Sequence, residues 1–213
     1  MKDNFSDIEG RVQRYWFTDG IGELMGGGLF VLLGLYFAAQ QYFGDRSFVG
    51  GILQSSFIIL VIGGLFLGRW AIHQLKARVT YPRTGYVEYR VDDKKNMRKR
   101  IFAFALAMGV AMSGIFIARN ITIIDSMVAL TGLLVAVILF FNQRWAHGVS
   151  RFSVMSIAAL ILGVSLSVSG LARGYNLGMF YGVMGIVFAI SGGLTLRRYL
   201  QENPLPADES NER

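Results

Sequence analysis

The chain has 213 residues, of which 53% are hydrophobic and 16% are charged, a composition typical of membrane proteins rather than soluble domains. It contains no cysteine, which excludes disulfides, thiolate metal sites and cysteine catalysis, and its two histidines are too few for a His-rich metal site. The formal net charge is +7, but the basic residues gather at one set of predicted helix ends, so we expect no nucleic acid partner.

The N-terminal segment, residues 1–19, precedes the first apolar stretch and has an amphipathic helical pattern. Ile8, Val12, Tyr15 and Trp16 have the spacing of a single helical face. We therefore predict an interfacial helix that lies in the headgroup region of the membrane.

Six apolar stretches occupy most of residues 20–200. A bilayer core is about 30 Å thick and a helix rises about 1.5 Å per residue, so about 20 apolar residues suffice to cross it. The sequence therefore predicts an all-α integral membrane protein, a six-helix bundle of three helical hairpins, with a disordered polar tail over 201–213. The predicted spans are 21–43, 49–73, 101–118, 121–141, 152–171 and 176–196.

The distribution of basic residues predicts the orientation of these spans. Of the 21 Lys and Arg residues, 18 lie on one side of the predicted membrane, and only Arg46, Arg119 and Arg173 lie on the other. The positive-inside rule then places both termini in the cytoplasm.

The second and third hairpins resemble each other in sequence. Each carries the pattern Ala-xxx-Gly-xxx-Ser, followed six residues later by Arg, at a constant offset of 54 residues. This indicates a parallel repeat, although chance similarity is the alternative because small residues are abundant in membrane helices. Whether the first hairpin belongs to the repeat is left open. The matching residues are Ala105, Gly109, Ser113 and Arg119 in one copy and Ala159, Gly163, Ser167 and Arg173 in the other.

Stripes of small residues predict where the helices contact one another. In lipid, helices associate mainly by close packing of Gly, Ala and Ser faces. Most of these stripes would be internal seams, while some could form the face of a homo-oligomer. The predicted helix-packing positions are Gly109, Gly163, Gly178, Gly182 and Gly185.

The connection over residues 76–100 is the only sizeable loop and carries nine basic residues. Residues 79–81 and 86–91 have strand composition and flank a turn-like segment at 82–85, so a short β-hairpin is predicted here. The loop either holds orientation and touches anionic lipid at the cytoplasmic face, or docks a cytosolic or membrane protein partner. The candidate contact residues are Arg78, Tyr81, Arg83, Tyr86, Tyr89, Arg90, Lys94 and Lys95.

The octapeptide that begins at Thr80 and ends at Val87, with the sequence TYPRTGYV, carries a family resemblance. It resembles a cytoplasmic loop of small, functionally uncharacterised six-span bacterial inner-membrane proteins. The resemblance implies a multi-pass protein of the bacterial plasma membrane. It implies no activity, cofactor or catalytic residue.

Charged groups within the spans are few and lie near the predicted interfaces. Charges deep in a bilayer are costly and usually pair. Asp125 is expected to pair with Arg119 or Arg173, or else to admit a cation or proton. Glu23 is expected to pair with Arg69, His73 or a loop base.

Neutral polar residues in the spans leave two alternatives open. Ser167 and its neighbours could line a shallow cavity that opens to the outside, or bond to the backbone of their own helix. No nucleotide-binding or catalytic pattern is present, so neither an enzyme nor a cofactor nor a metal is expected.

Two functions follow from this sequence. The first is a non-enzymatic scaffold or accessory subunit that interacts through the basic loop and the small-residue helix faces. The alternative is a small-solute transporter or channel with a path lined by Ser and Gln, although coupled transporters usually carry midplane charges or broken helices.

Overall fold

A computed structural model describes residues 18–44, 47–84, 126–145 and 150–204. Every regular element in these ranges is helical and none is a strand, so the predicted all-α class is confirmed for the described part of the chain. The elements are α1 (Ile21–Phe43), α2 (Phe48–Leu75), a π-helical turn (Lys76–Thr80), α3 (Tyr81–Thr84), α4 (Ser126–Trp145), α5 (Arg151–Ser167) and α6 (Arg173–Glu202).

Within the described residues, three helical stretches are long and apolar enough to cross a membrane: Ile21–Phe43, Phe48–Arg83 and Arg173–Glu202. Shorter apolar stretches, Met127–Gln143 and Arg151–Ser167, lie in α4 and α5. Large apolar side chains cover the outer surfaces of these helices, as expected where lipid is the solvent. The chain therefore has the helices of a membrane protein.

The described helices overlap four of the predicted spans closely, and α1 has the predicted bounds. The fifth span was predicted too long, because α5 ends at Ser167 and Gly170 adopts a positive φ of 73° in the following turn. The predicted span at 101–118 and residues 1–17 of the interfacial helix predicted at 1–19 lie outside the described residues. The tail predicted at 201–213 begins too early, because α6 continues to Glu202, and residues 205–213 lie outside the described residues.

The predicted β-hairpin is wrong at its first strand. Residues 79–81 are helical, because the chain continues from α2 through the π-helical turn into α3. Lys76 and Thr80 are buried in this turn, so tertiary contacts override the strand propensity of Val79, Thr80 and the following Tyr81. Pro82 interrupts the hydrogen-bond ladder, since it has no N–H to donate. The predicted second strand, at 86–91, lies outside the described residues.

The chain divides into two compact units, one formed by Met1–Val87 and Tyr181–Arg213 and the other by Glu88–Phe180. In the first, which we call unit 1, α1 packs directly on α6 through glycines. A Cβ atom added to Gly27 would lie 2.7 Å from both Ala189 N and Gly185 O. The two backbones therefore touch, as is typical of helix contacts in lipid.

Aromatic rings extend the α1–α6 contact of unit 1 along the helices. Tyr181 of α6 stacks on Phe37 with a ring-centroid distance of 5.5 Å and meets Phe30 edge-on at 5.3 Å. At both distances, an aromatic pair stabilises the fold by more than the burial of its apolar surface alone.

Helix α1 also packs on α2 in unit 1. The hydroxyl of Tyr36 donates a hydrogen bond to the carbonyl of Leu53 at 3.1 Å. The turn between the two helices is formed by residues that are close in sequence. Gly44 has a φ of 70°, and Ser47 caps α2 by accepting a hydrogen bond from Gly50 N at 2.9 Å.

The second unit contains the α4–α5 hairpin, which repeats the glycine packing. A Cβ added to either Gly132 or Gly163 would lie 2.8 Å from the Cα of the other. Ser156 donates to the carbonyl of Ala136 at 2.8 Å, which satisfies a buried hydroxyl across the same seam. The α5–α6 turn is held by Asn176, which bonds the Ser169 hydroxyl and donates to a backbone carbonyl.

The packing of α1 on α6 predicts that replacing two adjacent glycines, Gly27 and Gly28, has different effects on stability. Gly27→Leu forces a side chain into the α6 backbone and should destabilise the folded protein by about 1–3 kcal/mol. No described residue lies within 4 Å of a Cβ added at Gly28, so Gly28→Leu should leave stability unchanged. Thermal unfolding of the two purified variants in detergent checks this, and equal midpoints would contradict the packing.

Candidate functional site

One end of unit 1 brings together the start of α1 with the ends of α2 and α6, and we call this the basic end. Gly20, with a φ of 69°, lets the chain turn into α1 against the α6 backbone. A Cβ added there would lie 2.5 Å from Gly192 O and 2.8 Å from Thr195 Cβ. Asp19, directly before this glycine, is therefore held close to the junction.

The basic end contains a buried ion pair. Lys76 Nζ lies 2.9 Å from Asp19 Oδ2, and Thr80 Oγ1 donates to the same oxygen at 3.1 Å. The other carboxylate oxygen of Asp19 accepts a bond from Ile21 N at 3.2 Å. Asp19, Lys76 and Thr80 are 0%, 3% and 1% exposed, so this cluster is shielded from its surroundings.

The π-helical turn supplies both side-chain partners of Asp19. Lys76 and Thr80 stand about one helical turn apart, so both side chains can reach the same carboxylate. Burying an ion pair costs desolvation energy, which is recovered only when the geometry is good and the remaining polar groups are bonded. Both oxygens of this carboxylate have partners, so the pair fixes the end of α2 against the start of α1.

A second acid lies one turn further along α1. Glu23 is 6% exposed and accepts a hydrogen bond from the hydroxyl of Ser191 at 2.9 Å. Ser191 is in turn bonded through its carbonyl to the Thr195 hydroxyl at 2.8 Å. The contact described here is to a hydroxyl of α6, and the basic partner predicted for Glu23 stays a prediction.

The start of the predicted contact loop lies next to the ion pair. Arg78 is exposed, while Tyr81 and Arg83 are half-buried, and Arg83 Nη1 donates to the carbonyl of Val79 at 2.7 Å. The Nε of Arg83 is buried without a hydrogen-bond partner among the described residues. The remaining candidates, which fall outside the described ranges, are Tyr86, Tyr89, Arg90, Lys94 and Lys95.

The other predicted site residues are scattered. Ser167 is buried and donates to the carbonyl of Val164 at 2.7 Å, so its hydroxyl bonds its own helix. Gly163 and Gly185 lie at helix contacts and Gly178 is buried, whereas no described residue lies within 4 Å of a Cβ added at Gly182. Asp125 and Gly109 lie outside the described residues.

A cavity of about 700 Å³ lies between α1 and α2 beside the ion pair. Its lining residues are Gly22, Met25, Gly26, Leu29, Gly64, Leu65, Gly68, Arg69, Ile72, His73, Lys76 and Tyr81.

A second cavity, of about 490 Å³, is formed by α2 alone near the opposite end. It includes Ser55 and Ser56, whose hydroxyls donate at 2.9 Å to carbonyls of the same helix. Over the described ranges, no group of three or more His, Cys, Asp or Glu residues is placed to hold a metal ion.

Protein-family models, curated proteins and solved structures contain no match to this chain.

Replacing one residue of the ion pair should lower the free energy of unfolding more than replacing both residues together. Lys76→Met leaves the Asp19 carboxylate buried without its cation and should destabilise the protein by about 3–5 kcal/mol. The double variant Asp19→Asn with Lys76→Met should recover part of this loss.

Unfolding of the wild type, both single variants and the double variant in detergent measures the coupling. Arg78→Met, at an exposed position two residues away, is the control and should change stability by less than about 0.5 kcal/mol. Strictly additive losses would mean that Asp19 and Lys76 do not interact.

Proposed function

We propose that this protein is a non-enzymatic scaffold or accessory subunit of a bacterial inner membrane. In this proposal the chain crosses the membrane six times with both termini in the cytoplasm. The basic end of unit 1 then faces the cytoplasm and docks an acidic segment of a cytosolic or membrane protein. The ion pair between Asp19 and Lys76 is the observation that carries the proposal.

The ion pair supports a docking role because it fixes the chain that leaves α2. Arg78, Tyr81 and Arg83 follow or flank the buried residues Lys76 and Thr80, so they project from a fixed helix rather than a free loop. Orientation in the membrane requires only positive charge. A fixed arrangement of side chains is instead a property of binding surfaces.

Arg83 adds a chemical reason for an acidic partner. One of its nitrogens bonds the Val79 carbonyl, and its buried Nε has no hydrogen-bond partner among the described residues. An unsatisfied buried donor costs free energy, and an arginine fork is well suited to bind a carboxylate. The rest of the Arg83 side chain is half-buried, so the accessible part of its guanidinium could bind an acidic side chain of a partner.

A non-enzymatic role is favoured because the two buried acids of the basic end, Asp19 and Glu23, both bond to other described residues. Catalysis needs a nucleophile, a base and an orienting group that converge on a space for substrate. Asp19 is occupied by Lys76, Thr80 and a backbone N–H, and Glu23 accepts a bond from Ser191.

The transporter alternative has weaker support. The two cavities share no lining residue, and the hydroxyls of Ser55, Ser56 and Ser167 donate to carbonyls of their own helices. A solute path would need polar groups directed into a continuous space.

The proposed topology can be tested because the chain has no cysteine, so each introduced cysteine is the only one. Leu171→Cys, at an exposed position in the α5–α6 turn, should react with a membrane-impermeant maleimide in spheroplasts. Gln201→Cys, exposed near the end of α6, should react only after the membrane is permeabilised. Labelling of Gln201→Cys in sealed spheroplasts would overturn the proposed orientation.

The docking role predicts a charge-dependent partner. Replacing Arg83, Arg90, Lys94 and Lys95 by Ser should lower recovery of cross-linked partners from solubilised membranes by about tenfold or more, because these cations would meet acidic side chains. Quantitative mass spectrometry of the cross-linked material measures the recovery.

The matched control replaces Arg197 and Arg198, exposed near the end of α6, and should retain the wild-type set of partners. Equal recovery from both variants would argue against docking at this surface. Solute flux in liposomes that contain only the wild-type protein, abolished by Ser167→Leu, would favour transport instead.

A further inference from the structure

The cavity between α1 and α2 has an open, glycine-lined floor. An added Cβ would meet nothing within 4 Å at Gly22, Gly26 or Gly68, so the described helices do not close on each other here. Towards the opposite end they do meet, since Gly64 faces the side chain of Leu29 and Tyr36 bonds the Leu53 carbonyl. The cavity is therefore a groove that opens beside the basic end.

The two ends of this groove differ in polarity. Met25, Leu29 and Leu65 line the part that runs along the helices, while Arg69 and His73 line the part beside the ion pair. Both of these polar residues are exposed, and no described residue forms an ion pair with Arg69. Lys76 is already paired with Asp19, so the free positive charge of the groove is that of Arg69.

The position of Arg69 corresponds to the headgroup level of a bilayer. It lies 21 residues after Phe48, the first residue of α2, which corresponds to a rise of about 30 Å. This matches the thickness of the hydrocarbon core, so a helix whose start lies at one interface brings Arg69 to the other.

We propose that this groove binds one anionic phospholipid from the leaflet at the basic end. The phosphate contacts Arg69, whose planar guanidinium is suited to bind phosphate oxygens, with Tyr81 and His73 beside it. An acyl chain occupies the glycine floor. Basic pockets between membrane helices are a recurring site for anionic headgroups, and a volume of about 700 Å³ is ordinary for a ligand cleft.

The positive charge of the basic end favours an anionic phospholipid in the groove over a second copy of the chain. Copies inserted in the same orientation would bring their basic ends together, and the like charges would repel. The lipid site shares Tyr81 with the proposed docking surface, but it can be tested separately because Arg69 and Gly26 are not among the docking residues.

Native mass spectrometry of the delipidated protein, with phosphatidylglycerol or phosphatidylcholine of the same acyl chains added, tests the site. The wild type should retain one phosphatidylglycerol in preference to phosphatidylcholine. Arg69→Gln should weaken this binding about fivefold, which corresponds to loss of one surface cation. Gly26→Leu should abolish this binding by filling the groove, and the variant should fold because no described residue lies within 4 Å of a Cβ added at Gly26.

Two matched controls should bind phosphatidylglycerol as the wild type does. Gly28→Leu places the same side chain on α1 away from the groove, and Arg197→Gln removes an exposed cation of α6. Equal affinity for the two lipids, or equal losses in Arg69→Gln and Arg197→Gln, would overturn the proposal in favour of unspecific surface attraction. Unchanged binding in Gly26→Leu would overturn it in favour of another occupant, such as a protein segment.

Discussion

The arrangement of the basic end depends on one carboxylate, that of Asp19. A buried aspartate is unfavourable unless both of its oxygens find partners, and here a lysine, a threonine and a backbone N–H supply them. Two of these partners come from the turn after α2, so the contact fixes how this helix ends relative to the start of α1. The groove between the two helices and the position of Tyr81 both depend on this arrangement.

The rest of unit 1 is held by packing that suits lipid rather than water. Apolar side chains gain little from leaving lipid, so close backbone contact has to supply the attraction between helices. Gly27, Gly185 and Gly192 allow α1 and α6 to approach until their backbones touch, and the ring of Tyr181 stacks on Phe37 beside them. The same device joins α4 to α5 at Gly132 and Gly163.

The helical class and the bounds of α1 could be predicted from sequence, because about 20 consecutive apolar residues leave no other structure open to a chain in lipid. The ion pair could not be predicted. Lys76 is one of nine basic residues in its segment, and only the fold reveals which of them is turned inward. The strand predicted at 79–81 failed for the same reason, since Val79, Thr80 and Tyr81 favour strands locally but continue α2 in the folded protein. Glycine patterns predicted contacts only in part: Gly163 and Gly185 pack against neighbours, whereas Gly182 does not, although all three fit the small-residue pattern.

The π-helical turn limits the insertions and deletions that this part of the chain can accept. Each residue inserted or deleted in an α-helix rotates everything beyond it by about 100° about the axis. Loss of a single residue between Lys76 and Thr80 would leave the composition almost unaltered but would rotate Thr80 relative to Lys76. The two side chains would then no longer meet the Asp19 carboxylate in the present geometry. The spacing of this segment is therefore constrained more tightly than the identity of its exposed side chains.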